Sequence, residues 1–169
     1  MPNSLKYLSA YSPELKKQIQ LMIDQNRLAT FLLSKYPEPH GICNDKALRD
    51  YVMTLKNRFM KKSGPLSVIQ YDQKIHVINN ALGLHSYATR VQGGKLKTKN
   101  GIRISAVFKT APEEFLKMIV VHELAHLKEK QHDKAFYKLC IHMLPEYYQL
   151  EFEMRVYLTQ LEQCGPIYC

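Results

Sequence analysis

The stretch VHELAHLKEKQH, residues 121–132, constrains this 169-residue chain more than any other. His122, Glu123 and His126 form an H-E-x-x-H pattern. On an α-helix, positions i and i+4 share one face, with Cβ atoms about 5–6 Å apart. Two imidazoles so placed can meet one ion at the ~2.0–2.1 Å of a Zn–N bond. Glu123 is offset by about 100° around the helix. That takes it out of the ligand pair and towards a water on the metal, the place of a general base. The pattern predicts a helix through 122–126 whose chemistry is metal-assisted hydrolysis.

A catalytic zinc site usually has three protein ligands and an open position, and His132 is the expected third ligand. It stands six residues past His126, about 9 Å further along a straight helix. The helix must therefore end near Glu129–Gln131 so that the chain can double back. Asp133 suits the N-cap of a new helix directly after that turn. With no glycine available, a non-glycine residue is expected in the left-handed conformation. The rival third ligand is a carboxylate from a later helix, Glu146, Glu151 or Glu153. One zinc ion is favoured because an imidazole-rich site with an open position suits it; magnesium would join if the substrate is a nucleotide. His40, His76, His85 and His142 have no such spacing and read as structural or surface residues.

The rest of the chain is organised as helices, a small sheet, then helices. Ser12 as cap and Pro13 at the first helical position open a helix whose apolar pattern, Leu15, Ile19, Met22 and Ile23, runs to about Leu33. KYPEPHG (35–41) breaks it, and Asn44 caps a second helix with Leu48, Tyr51, Val52, Leu55 and Phe59 on one face. Period two follows. LSVIQY (66–71) and KIHVI (74–78) read as a hairpin, and SYATRVQ, Gly93-Gly94, KLKTK and GIRIS as further strands. A T-x-x-E capping box from Thr110 to Glu113, with Pro112 in the first turn, is expected to open the helix that carries His122. Further helices are expected over 133–144 and after Pro145. The class is α+β, with a small antiparallel or mixed sheet of three to five strands. Residues 1–62 are expected to form a helical segment packed on a core of 63–163, with 164–169 as a loose tail, all within one structural domain.

No apolar run approaches the roughly 18 residues of a membrane span, and the N-terminus has no secretion signal. The four cysteines, Cys43, Cys140, Cys164 and Cys169, contain no C-x-x-C pair. Reduced thiols in a cytoplasmic, monomeric protein are the expectation. Residues 1–110 carry 18 Lys and Arg against 6 Asp and Glu, whereas 111–169 carry 6 against 9. Much of the excess lies in KNRFMKK (56–62) and KLKTKNGIR (95–103), which are either a solvated surface or a footprint for an anionic partner.

The segment VVHELAHLKEKQHDKAFYKLC resembles the YgjP-like metallohydrolases, a minimal zincin family often described as metallopeptidases and related in pattern to the SprT and WLM proteases. Their signature is H-E-L-x-H, five residues, a third histidine, a small polar residue and an aromatic. Here these are His122, Glu123, Leu124, His126, His132, Asp133 and Phe136. The likeness extends over about Tyr71 to Leu161. It implies a minimal zincin-like fold, zinc on His122, His126 and His132, and Glu123 as base. Many members of the wider family carry R-W-G-S-C before the helix; this chain has Arg90-Val91-Gln92-Gly93-Gly94 and no tryptophan.

Three functions follow as expectations. The first is a zinc metallopeptidase acting on a peptide or protein, with Tyr137, Tyr147 or Tyr148 as a donor to the developing negative charge. The second is a metal-dependent nucleoside triphosphate pyrophosphatase. In it, Gly93-Gly94 would form an anion nest beside Lys95, Lys97 and Lys99, with Arg90 close by. The third is a nucleic-acid-binding module without catalysis, which the charge favours and the lack of interleaved aromatics disfavours.

Overall fold

The computed structural model describes residues 5–75, 83–92 and 95–168, with residues 83–92 and 95–100 described as backbone only. A short 3-10 turn, Lys6–Leu8, precedes α1 (Pro13–Asp24), α2 (Leu28–Lys35) and α3 (Asp45–Phe59). Strands β1 (Leu66–Asp72), β2 (Gly83–Gln92) and β3 (Lys95–Ser105) follow. After a second 3-10 turn, Ala106–Thr110, come α4 (Glu113–Ala125), α5 (Lys134–Met143) and α6 (Tyr147–Gln163).

The helix starts follow capping chemistry. Ser12 and Asn44 accept hydrogen bonds from the amides of Leu15 (3.3 Å) and Ala47 (2.8 Å), as their side chains predict. The expected helix over 13–33 is in fact two. Asn26 takes a positive φ of 54° and ends the first, because a short amide side chain tolerates the left-handed region. The capping box also fails. Thr110 is spent in the 3-10 turn, and α4 begins after Pro112 with no side-chain cap. Glu113 and Glu114 in its first turn face the positive end of the helix dipole instead.

The sheet is mixed, with strand order β1-β3-β2. β2 and β3 are antiparallel with Gln92 opposite Lys95, the register of a two-residue connection. Gly93 and Gly94 lie outside the described residues. β1 pairs in parallel with β3, from Leu66 opposite Asn100 to Asp72 opposite Ser105. That corrects the local hairpin expected for 66–71, whose second arm lies mostly outside the described residues. A bulge between Leu66 and Val68 breaks the alternation, so the buried side chains are Leu66, Ile69 and Tyr71. The end of β1 is tied to the start of α3: Asp45 accepts from the Tyr71 amide (2.9 Å), and the Tyr71 hydroxyl donates to the Ile42 carbonyl (2.6 Å).

α4 is the centre of the fold. Ten of its residues, Phe115, Leu116 and Met118 to Ala125, are buried, so beyond Lys117 it has no solvent face. It lies against β2 and β3 on one side and against α3, α5 and α6 on the others. The N-terminal helices close over α6. Lys35 and the Tyr36 hydroxyl both bond the carboxylate of Glu153, and Arg155 donates to the Tyr7 carbonyl (3.2 Å). Gly165 to Tyr168 are docked where a loose tail was expected over 164–169, and Cys169 lies outside the described residues. Gly165, at φ 97°, turns the chain off α6, and the Tyr168 hydroxyl donates to the Tyr36 carbonyl at 2.6 Å. Among the described residues no helix is long and apolar enough to cross a membrane.

Candidate metal centre

The final turn of α4 carries His122 and Glu123, and His126 follows as its C-cap, still at helical backbone angles (φ −66°, ψ −14°). The two imidazoles therefore keep their i, i+4 relation, with ring centroids 4.9 Å apart. The chain then closes tightly: the amides of Leu127 and Lys128 bond the carbonyls of Leu124 (3.0 Å) and Ala125 (3.1 Å). The helix thus ends earlier than Glu129–Gln131. The reversal also needs no left-handed residue, since Asn26 is the one non-glycine positive φ among the described residues. Asp133 caps α5 by accepting from the Phe136 amide at 2.9 Å. That cap sets His132 on the approach to α5, facing back over the end of α4.

The outcome is a cluster. The ligand atoms of His122, His126 and His132 lie within 4.8 Å of one another. Nε2 of His126 and Nε2 of His132 are 3.0 Å apart. Two nitrogens about 2.0–2.1 Å from one tetrahedral ion would stand roughly 3.4 Å apart, so the three fit a single ion with small adjustment. Among the described residues no carboxylate joins them. Glu153 is committed to Lys35 and Tyr36, and Glu151 pairs with Arg155 at 3.4 Å.

The outward ring nitrogens are also held. Nδ1 of His126 lies 2.9 Å from the Glu129 carbonyl, which can only accept, so the proton sits on Nδ1 and the Nε2 lone pair faces the cluster. Nδ1 of His122 lies 2.8 Å from the Tyr147 hydroxyl. With Nδ1–H donating to that hydroxyl, Nε2 of His122 would be left for a metal ion. Phe136 forms the floor. Its ring centroid is 4.9, 4.6 and 5.0 Å from those of His122, His126 and His132.

Electrostatics match a ligand set. Burial, then the neighbouring His126, His132 and Arg155, holds His122 down at about 3, so it stays neutral with its lone pair available. Burial likewise lowers His126. Glu123 is buried, and burial pushes its carboxyl up to about 8. A cation on the three histidines would favour the carboxylate and reverse that shift. A buried His122 held neutral, beside a carboxyl that a metal would ionise, is suited to activating water.

Tyr147 is fully buried behind His122, which removes it as a donor to substrate and makes it the orienting partner of that histidine. No local pattern could announce that, because 25 residues separate the two. Tyr148 is exposed, and Tyr137 stacks on it at 5.5 Å. His40 is structural: it bonds the Phe108 carbonyl (2.6 Å) and accepts from the Ile42 amide (2.9 Å). His142 is exposed and meets the edge of Phe59, whereas His76 and the side chain of His85 lie outside the described residues. Arg90 stands opposite Lys97 in the β2–β3 register, and Lys95 and Lys99 occupy the same strand of that pair. Their side chains too lie outside the described residues.

A helix-borne H-E-x-x-H with a third histidine from the following turn, against a small mixed sheet, defines a metal-dependent hydrolase. A model of the YgjP-like metallopeptidase domain matches residues 15–157, and the chain belongs to that family. It is also 54% identical over 159 residues to a protein of Escherichia coli (strain K12) described as UTP pyrophosphatase, covering 94% of this chain and 95% of that one. No solved structure matches.

Proposed function

We propose that the chain is a zinc-dependent nucleoside triphosphate pyrophosphatase. Its centre would be the cluster of His122, His126 and His132 with Glu123 alongside. The observation that carries this reading is the cluster itself, three imidazoles around one point with a buried carboxyl on the adjacent helical position. The choice of phosphoanhydride over peptide rests on the relative described as UTP pyrophosphatase, 54% identical along nearly the whole chain.

When bound, zinc supplies a lowered water pKa and a positive charge for the oxygens of the reacting group. Glu123 takes a proton from the attacking water as its oxygen bonds to the α-phosphorus. The bond from that phosphorus to the bridging oxygen breaks, and pyrophosphate leaves with the electron pair. Glu123 can return the proton to it. Tyr147 and the Glu129 carbonyl hold two of the imidazoles, while Phe136 and the buried end of α4 keep bulk water from the back of the site.

The test is pyrophosphate release from a nucleoside triphosphate panel, with zinc or magnesium, by the wild type and Glu123→Gln. Release that vanishes in the variant supports the proposal, and none from either protein sinks it. The second reading is a zinc peptidase, favoured by the family description over residues 15–157. Reversing Lys95, Lys97 and Lys99 to glutamate separates the two. It should impair hydrolysis of a triphosphate and barely touch cleavage of a neutral peptide.

A further inference from the structure

The basic run KNRFMKK has no part in the centre described above, yet the fold builds something definite from it. Lys56 is buried, and its ammonium donates to the Ser63 carbonyl at 3.2 Å. Ser63 in turn bonds the Met60 carbonyl through both its amide (3.0 Å) and its hydroxyl (2.5 Å). A buried cation thus pins the 60–63 turn, which leaves Lys61 and Lys62 exposed at its corner. These two, with Arg58 and Lys128, line a cavity of about 540 Å³, and among the described residues no acidic one lines it. Among the described residues no carboxylate forms an ion pair with any of the four. Phe59 and Leu127 give it an apolar wall.

Two residues of that cavity place it. Leu127 and Lys128 directly follow His126, so the Lys128 Cα lies within roughly 8 Å of the Cα of one of the three clustered histidines. Four cations without a carboxylate partner among the described residues, Arg58 lying over the Phe59 ring at 4.9 Å, around a partly apolar pocket of this size complement a ligand with several phosphate charges and a flat apolar end.

We propose that this cavity is a binding subsite for a nucleoside polyphosphate. The phosphates would lie against Arg58, Lys61, Lys62 and Lys128, and the base against the apolar wall. The inference rests on the pyrophosphatase reading and names residues of substrate recognition outside the catalytic motif.

The experiment uses the full chain and a fluorescent UTP analogue. Binding is followed by anisotropy for the wild type and for Arg58→Glu/Lys61→Glu/Lys62→Glu, beside Lys128→Glu alone, and KM for UTP is measured in parallel. The triple variant should bind about tenfold or more weakly and show a matching rise in KM. Its melting temperature should stay within about 2 °C, since the three side chains are exposed. Lys128→Glu should show part of the same loss. Equal binding and equal KM in all three proteins overturns the inference. Pyrophosphate release that still depends on Glu123 would then leave the proposed function standing. A loss confined to a labelled single-stranded oligonucleotide, with UTP binding intact, also overturns it by making the cleft a nucleic-acid site. If the wild type releases no pyrophosphate, the proposed function falls, and the anisotropy comparison alone decides whether the cleft takes nucleotides.

Discussion

The Tyr147 hydroxyl stands 2.8 Å from Nδ1 of His122, wholly buried and reaching it from α6. It is the acceptor that turns the His122 ring so that Nε2 faces His126 and His132. Tyr147→Phe keeps the ring and deletes only that acceptor. Outer partners of this kind are worth about 10–100-fold in metal affinity. Competition against a chromophoric zinc chelator should show a loss of that order with the fold intact. Unchanged affinity would remove Tyr147 from the site.

Glu123 couples stability to pH in the metal-free protein. Its carboxyl is held at about 8 in the folded state against an ordinary value of 4.5, because burial penalises the charge. A raised folded value means that the contribution to stability is complete below about 4.5 and is lost as pH rises through 8. In chelator, Glu123→Gln should therefore melt at the same temperature as wild type near pH 4.5 and higher than wild type at pH 8. The difference should be on the order of a few kcal/mol. Zinc should shrink it, since the cation favours the carboxylate. Hydrolysis by this variant should fall by about 10²–10⁴-fold, the usual worth of a general base.

His122 has the opposite dependence. Burial holds it down at about 3, so a proton that the unfolded chain accepts near 6.5 is refused by the folded one. Stability from this group is present above 6.5 and drains away as pH falls towards 3. Metal binding adds to this, because protons compete for the imidazole lone pairs. Thermal melts at pH 7.5, 6 and 5, with zinc and with chelator, should show the zinc-dependent increment disappearing first. A zinc increment that persists undiminished at pH 5 would argue against an all-histidine site.

Phe136 joins the core to the chemistry. It is fully buried and lies within 5.0 Å, centroid to centroid, of all three histidine rings. Phe136→Ala should cost about 3–5 kcal/mol through the cavity it leaves. Phe136→Leu fills most of that space without supporting the rings. It should keep most of the stability while weakening zinc binding, which calorimetric titration of zinc would register. Unaltered affinity in the leucine variant would reduce Phe136 to packing alone.

What the sequence determined by itself was whatever chemistry acts within a turn or two of chain. His122 and His126 share a face because four residues make about one helical turn, and Asp133 caps α5 because its side chain reaches an amide three residues on. From those two facts the approach of His132 was legible, and so was Glu123 as the neighbouring acid. Even here, local reading overreached at Thr110, where a capping pattern was used by a 3-10 turn, and at Asn26, where an apolar period concealed a break. Only the tertiary structure decided the rest. β1 runs parallel to β3, a pairing across about thirty residues that burial of β1's apolar side chains rewards and no local turn signal encodes. Tyr147 reaches His122 from another helix, and Lys56 pins the turn that gathers Lys61 and Lys62 beside Lys128, residues more than sixty positions away. Those relationships depend on which surfaces are buried against each other, and burial is a property of the packed chain rather than of any segment within it.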